Sequence, residues 1–203
     1  MSGYTSRYFQ YMCFENTLLI DDETNLKEIL GGYVGKTYIP ICKFAIANRK
    51  EDELQSAAQK LIERQSGADL RIRTPLSYFL GELICNIREH SKSPYGYIHA
   101  QYLQKEQCID VSIADEGITV FGSYMESGKY VNEINGNEAK ALKLANDGYS
   151  TKDLPDAENR GYGISSTKKM LVEGLGGAFL CCRAERSTVM ILTVVNLRIY
   201  RRM

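Results

Sequence analysis

Residues Thr74–Gly117 read TPLSYFLGELICNIREHSKSPYGYIHAQYLQKEQCIDVSIADEG. Leu76, Phe79, Leu80, Leu83, Ile84 and Ile87 recur at helical spacing and make one apolar stripe. Thr74 suits an N-cap and Pro75 the first helical position, so the pattern predicts a helix from there to about His90, with Pro94 barring its continuation. Tyr95–Leu103 and Cys108–Ala114 follow as two strands, the second alternating Ile109, Val111 and Ile113. A one-sided helix beside adjacent strands is the beginning of a helix layer on an antiparallel sheet.

The flanks extend this pattern. Leu54, Ala57, Ala58, Leu61 and Ile62 predict a helix over 51–66, with Glu51, Asp52 and Glu53 at its electropositive start and Gly67 as its stop. Further upstream, Thr37–Ala47 reads as a strand, and Pro40 suggests an edge because proline cannot donate to the ladder. Asp21–Thr24 caps a short helix through Leu30, ended by Gly31-Gly32. Downstream, Gly117–Arg160 is polar, with one helix predicted near Asn137–Asn146; long segments of this kind are functional or mobile. Ile164–Gly174 reads as a helix stopped by Gly176-Gly177, and Ala178–Arg183 with Thr188–Asn196 as a closing hairpin. The expected class is α+β: a two-layer sandwich of a mixed, mostly antiparallel sheet with helices on one face.

Composition narrows the function classes. At 203 residues the chain suits one domain with an appendage, divided as an N-terminal extension (1–66) and a main domain (67–203). Its 25 basic and 25 acidic side chains cancel, which leaves no global pull toward nucleic acid or an anionic membrane. The longest apolar run, Val189–Val195, is interrupted by Thr193 and falls far short of the roughly 20 residues of a spanning helix. MSGYTSRYFQ lacks the layout of a signal peptide, so a cytoplasmic location is expected. The six cysteines contain no CxxC pair and read as core fillers, and two histidines do not make a His-rich metal centre.

Two glycine motifs fail on context. Gly31–Thr37 (GGYVGKT) lacks the first glycine of a phosphate-binding loop, where Leu30 stands, and runs into Tyr38-Ile39-Pro40 instead of a helix. Gly161-Tyr162-Gly163 has Ser166 at the third glycine position of a dinucleotide fingerprint and follows a polar segment, not a buried strand.

Glu82, Asn86 and His90 form a polar row beside the apolar stripe, each step of four climbing about 6 Å and turning about 40°. Taken alone, such a row reads as a solvated flank. Downstream, however, a strand ends in Asp115-Glu116-Gly117, a long polar segment follows, and Arg160–Gly163 opens a helix.

This order resembles the GHKL superfamily of ATP-binding domains, which includes gyrase-type topoisomerases, the large heat-shock chaperone, sensor histidine kinases and anti-sigma-factor serine kinases. ELICNIREHS (Glu82–Ser91) is similar to its N-box, IADEG (Ile113–Gly117) to its G1 box and RGYGISSTKKM (Arg160–Met170) to its G2 box; Ser187-Thr188 is a weaker match to a late Gly-Thr. The likeness covers roughly residues 70–196 and implies the Bergerat-type ATP-binding fold, with a lid at about 118–160.

On that resemblance, Asp115 accepts the adenine amino group and Gly117 leaves room for the base. Asn86 offers a carbonyl oxygen to Mg2+, and His90 belongs to the same box. Lys152, Arg160, Gly161, Tyr162, Gly163 and Thr188 would meet the phosphates, while Lys168 and Lys169 read better as a solvated face. Glu82 matches the carboxylate that activates the attacking water or hydroxyl. Two departures stand out: Thr119 replaces the second G1 glycine, and Ile164-Ser165-Ser166 replaces the third G2 glycine.

The implied function is Mg-dependent ATP binding with ATPase or protein-serine-kinase activity, closest in layout to the stand-alone anti-sigma serine kinases and acting with a regulatory protein partner. The alternative is a non-catalytic nucleotide-sensing module whose lid is ordered by ATP, and a third reading is a scaffold that has lost nucleotide. Neither nucleic acid nor membrane is an expected partner. The N-terminal elements are left as a sheet extension or a homodimer face.

Overall fold

The computed structural model describes residues 17–21, 23–46, 50–67, 70–151, 164–183 and 191–198. Its strands are β1 (Leu18–Ile20), β2 (Tyr38–Ala45), β3 (Tyr95–Leu103), β4 (Cys108–Asp115), β5 (Ala178–Arg183) and β6 (Ile191–Arg198). They form one sheet in the order β1-β2-β3-β4-β6-β5, with β1 parallel to β2 and every other pair antiparallel. The helices are α1 (Leu26–Gly31), α2 (Lys50–Ser66), α3 (Leu70–Asn86), α4 (Val120–Ser127), α5 (Val131–Ile134), α6 (Glu138–Asn146) and α7 (Ile164–Lys169). Both α3 and α7 widen into a π turn at their ends, over Ile87–Ser91 and Met170–Gly174.

Strand alternation decides which face is covered. Ile39, Cys42 and Phe44 of β2, Ile98, Ala100 and Tyr102 of β3, and Ile109, Val111 and Ile113 of β4 are buried in one core. That core also takes Leu54, Ala58, Leu61 and Ile62 from α2 and all six stripe residues of α3. Gln55 donates to the Ser77 carbonyl at 3.0 Å and pins α2 to α3. The result is the expected α+β sandwich, and its single core draws on residues from both sides of position 66.

Several local expectations change. The helix begins at Leu70, a full turn before Thr74, so Pro75 lies inside it. Ile72 is buried and Arg73 pairs with Glu63 of α2 at 2.8 Å; these tertiary contacts hold the added turn against the donor lost at Pro75. Strand β2 is not the edge, because β1 pairs with it from Cys42 to Phe44. Pro40 sits instead where the β2–β3 register shifts, between Ile39 and Cys42, in a bulge that needs no amide donor. Asn25, not the Asp21–Thr24 group, caps α1 by accepting from the Glu28 amide. GGYVGKT is a turn into a strand, as its context implies, and Gln65 fastens it through the carbonyls of Tyr33 and Tyr38 at 2.9 and 3.1 Å.

The lid differs most from expectation. In place of the one expected helix, α4, α5 and α6 fold around a separate core of Tyr124, Ile134 and Ala141. Tyr130 packs edge-on between Tyr124 and Tyr149, with ring centres 5.9 and 5.3 Å away. No helix among the described residues is long and apolar enough to cross a membrane.

Candidate functional site

The site begins at the end of β4. Asp115 is paired in register with Gly96, and Gly96 with Phe44, so the three form one row on the helix-facing side. A side chain at 96 would run into the Phe44 ring, which therefore lies over the ladder position next to Asp115. Asp115 is only 4% exposed. Its Oδ1 accepts the Gly117 amide at 2.8 Å, and no lysine or arginine pairs with it among the described residues. Burial pushes its carboxyl up to about 6, with Glu116 adding repulsion and the Gly117 N–H pulling the other way.

Alternation sends Glu116 to the other side of the sheet. There the Tyr97 hydroxyl donates to it, and the Lys43 ammonium lies 4.1 Å from the Tyr95 ring centre and 5.4 Å from that of Tyr97. Of two adjacent carboxylates, one is thus buried against the helix layer and the other is exposed.

Helix α3 supplies the second wall. Glu82 and Asn86 are half-buried, one turn apart. The Asn86 amide nitrogen is buried with no acceptor among the described residues. An unsatisfied buried donor costs about 1–3 kcal/mol, which makes this amide a candidate for a partner outside the described residues. His90 follows on the π turn, and its Nδ1 lies 3.3 Å from Thr151 Oγ1.

Gly117 joins the two walls. A Cβ there would overlap the Ser91 carbonyl, far inside the 3.0 Å below which real Cβ contacts essentially do not occur. The next amide, Ile118, donates to that same Ser91 oxygen. Thr119, the departure from the G1 pattern, caps α4: its Oγ1 accepts the Gly122 amide at 3.0 Å. Thr119 is thus the residue that starts α4.

Asp115 and Gly117 therefore meet the π turn that carries His90 and Ser91, Asn86 directly precedes that turn and Glu82 stands one helical turn earlier, with α4 packed on the π turn and α7 against α3 and α6. Lys152, Arg160, Gly161, Tyr162, Gly163 and Thr188 lie outside the described residues. Lys168 and Lys169 are exposed. Sequence reasoning missed Ser91, Ser123 and Thr151. Thr119 carried a readable signal, a capping residue before the apolar VFGSYM, whereas the His90–Thr151 contact spans 61 positions and leaves no local trace.

The donor set suits one kind of metal. No cluster of three or more His, Cys, Asp or Glu side chains among the described residues could cage an ion. Asn86 alone fits Mg2+, which keeps several waters and takes other ligands from phosphates. The buried carboxylate and the orphaned amide are compatible with a nucleotide and its metal, whereas the space beside Gly117, expected to admit a base, is taken by the Ser91 carbonyl. In comparisons with family models and with curated proteins, the chain matches none.

Proposed function

We propose that the protein binds Mg·ATP at the α3–β4 junction and acts as an ATPase or protein-serine kinase toward a regulatory partner, in the cytoplasm. The observation that carries this reading is Asp115: a buried carboxylate held by one backbone amide, with no cation among the described residues to balance it. Such a group is unfavourable for folding alone and is what recognition of an exocyclic amine requires. Asn86 would hold Mg2+ through its carbonyl oxygen and offer its orphaned N–H to a phosphate oxygen. Glu82, one turn earlier on α3, would take the proton of the attacking water or serine hydroxyl. ATP supplies the phosphoryl group.

Titration of ATP by calorimetry, with and without Mg2+, tests the reading. Saturable, Mg-dependent binding to wild type and its loss in Asp115→Asn are expected. The substituted amide would keep its oxygen on the Gly117 N–H and turn its own N–H toward the adenine donor. No heat at millimolar ATP sinks the reading. The nucleotide-sensing alternative shares the binding and differs only in having negligible turnover.

A further inference from the structure

The lid and the sheet domain have separate cores, so what joins them governs how the lid moves. Three polar ties between them meet at one turn. Ser91 accepts the Ile118 amide, Lys92 pairs with Glu126 of α4, and His90 meets Thr151, whose Oγ1 lies 3.2 Å from Ser123 Oγ on α4. His90 and Ser91 end the π turn that begins directly after Asn86, and Lys92 is its left-handed cap. The Lys92–Glu126 side chains are 61% and 52% exposed, and an ion pair so wetted contributes little. The hydroxyl chain is part-buried and ties Ser123, in α4, and Thr151, which follows α6, to the π turn.

We propose that Ser123, Thr151 and His90 form a latch that holds the α4–α6 lid on the N-box helix, so that nucleotide enters and leaves only when this chain opens. Thr151 and Ser123 are positioning residues. They act on the lid through His90 and set exchange rates in place of affinity. The docking stands on geometry alone, whereas its role in nucleotide exchange rests on the Mg·ATP reading above. The lid carries a core of its own, so its attachment is one that opens as a unit, without unfolding Tyr124, Ile134 and Ala141.

Two measurements on the full chain test this. In stopped flow with methylanthraniloyl-ATP, Thr151→Val is expected to raise association and dissociation rates together by about fivefold, the factor one net hydrogen bond represents, with Kd changed less than about twofold. Thr151→Ser, which keeps the hydroxyl, restores both rates. Unchanged rates, or a Kd shift carried by one rate alone, overturn the latch. Without nucleotide, hydrogen exchange at the Ile118 amide is expected to quicken by a similar factor in Thr151→Val and to return in Thr151→Ser; exchange as slow as wild type overturns it. Faster Ile118 exchange in a protein that binds no ATP leaves the latch standing and removes the nucleotide reading alone.

Discussion

The α-carbon of Gly117 faces the carbonyl oxygen of Ser91 so closely that no side chain fits between them. This contact joins the end of β4 to the end of α3, the two elements that carry Asp115 and Asn86. Both partners are constrained: Ser91 is buried, and its oxygen also receives the Ile118 amide.

Gly117→Ala should therefore destabilise the fold by about 1–3 kcal/mol, the usual range for overpacking, and abolish nucleotide binding. Gly31→Ala is the control. It ends α1 with nothing within 4 Å of the added carbon, so stability should hold or rise by up to about 1 kcal/mol. Urea midpoints for the two variants provide the comparison, and equal midpoints would refute the Ser91 argument.

Asp115 and His99 should oppose each other in acid. Asp115 is raised to about 6 from 3.8, so the folded state binds the proton more tightly and gains stability as pH falls through 6 toward 4. His99 donates from Nδ1 to the Ile39 carbonyl at 2.6 Å, which leaves Nε2 unprotonated and buried, with no donor to it among the described residues. Burial lowers it to about 4 from 6.5, so stability is lost as pH falls through that window. Each effect is on the order of 3 kcal/mol at full extent, and wild-type stability should be nearly flat between pH 6.5 and 4. Asp115→Asn should uncover the His99 loss and His99→Leu the Asp115 gain, read from urea unfolding across that range.

Nucleotide affinity should follow the Asp115 carboxylate. Adenine donates to the ionised form, so binding competes with the proton and weakens as pH falls through about 6. Calorimetry in buffers of different ionisation heat should register proton release on binding near that pH. A flat affinity profile would separate Asp115 from the base.

Glu82→Gln should bind ATP within about twofold of wild type and lose at least a hundredfold in turnover, the lower range for a general base. A variant with unaltered turnover removes Glu82 from the chemistry. A wild type with no turnover favours the sensing alternative.

Tyr124→Ala should melt the lid and spare the sheet. Tyr124 is 1% exposed and anchors the smaller core, so the loss is on the order of 3–5 kcal/mol there. Hydrogen exchange should collapse across α4–α6 and persist in β3 and β4.

The central helix and its two strands are legible because each carries a sustained period. All six apolar positions of α3 are buried, and Tyr95–Leu103 alternates along its whole length. The lid is not legible, because α4, α5 and α6 have 8, 4 and 9 residues and their core is assembled from positions 124, 134 and 141. Strand β1, at 3 residues, is too short to carry a pattern. The start of α3 misleads because Thr74-Pro75 is a sound local signal that Ile72 and the Arg73–Glu63 pair override. At the site, Glu82, Asn86 and Asp115 stand out only through the resemblance of their flanking boxes, since spacing alone reads as a solvated flank, and the pinning of Gly117 to Ser91 and the reach of Thr151 to His90 are purely tertiary.

The lid enters at Ile118, bonded to Ser91, and its Thr151 returns to His90, the neighbouring residue. Two positions on either side of α4, α5 and α6 are thus moored to adjacent residues of one turn. The sheet's core takes no residue from between them, so substitutions inside the small core of Tyr124, Ile134 and Ala141 leave the strand register untouched. Sequence change in these three helices can therefore proceed at little risk to the fold beneath.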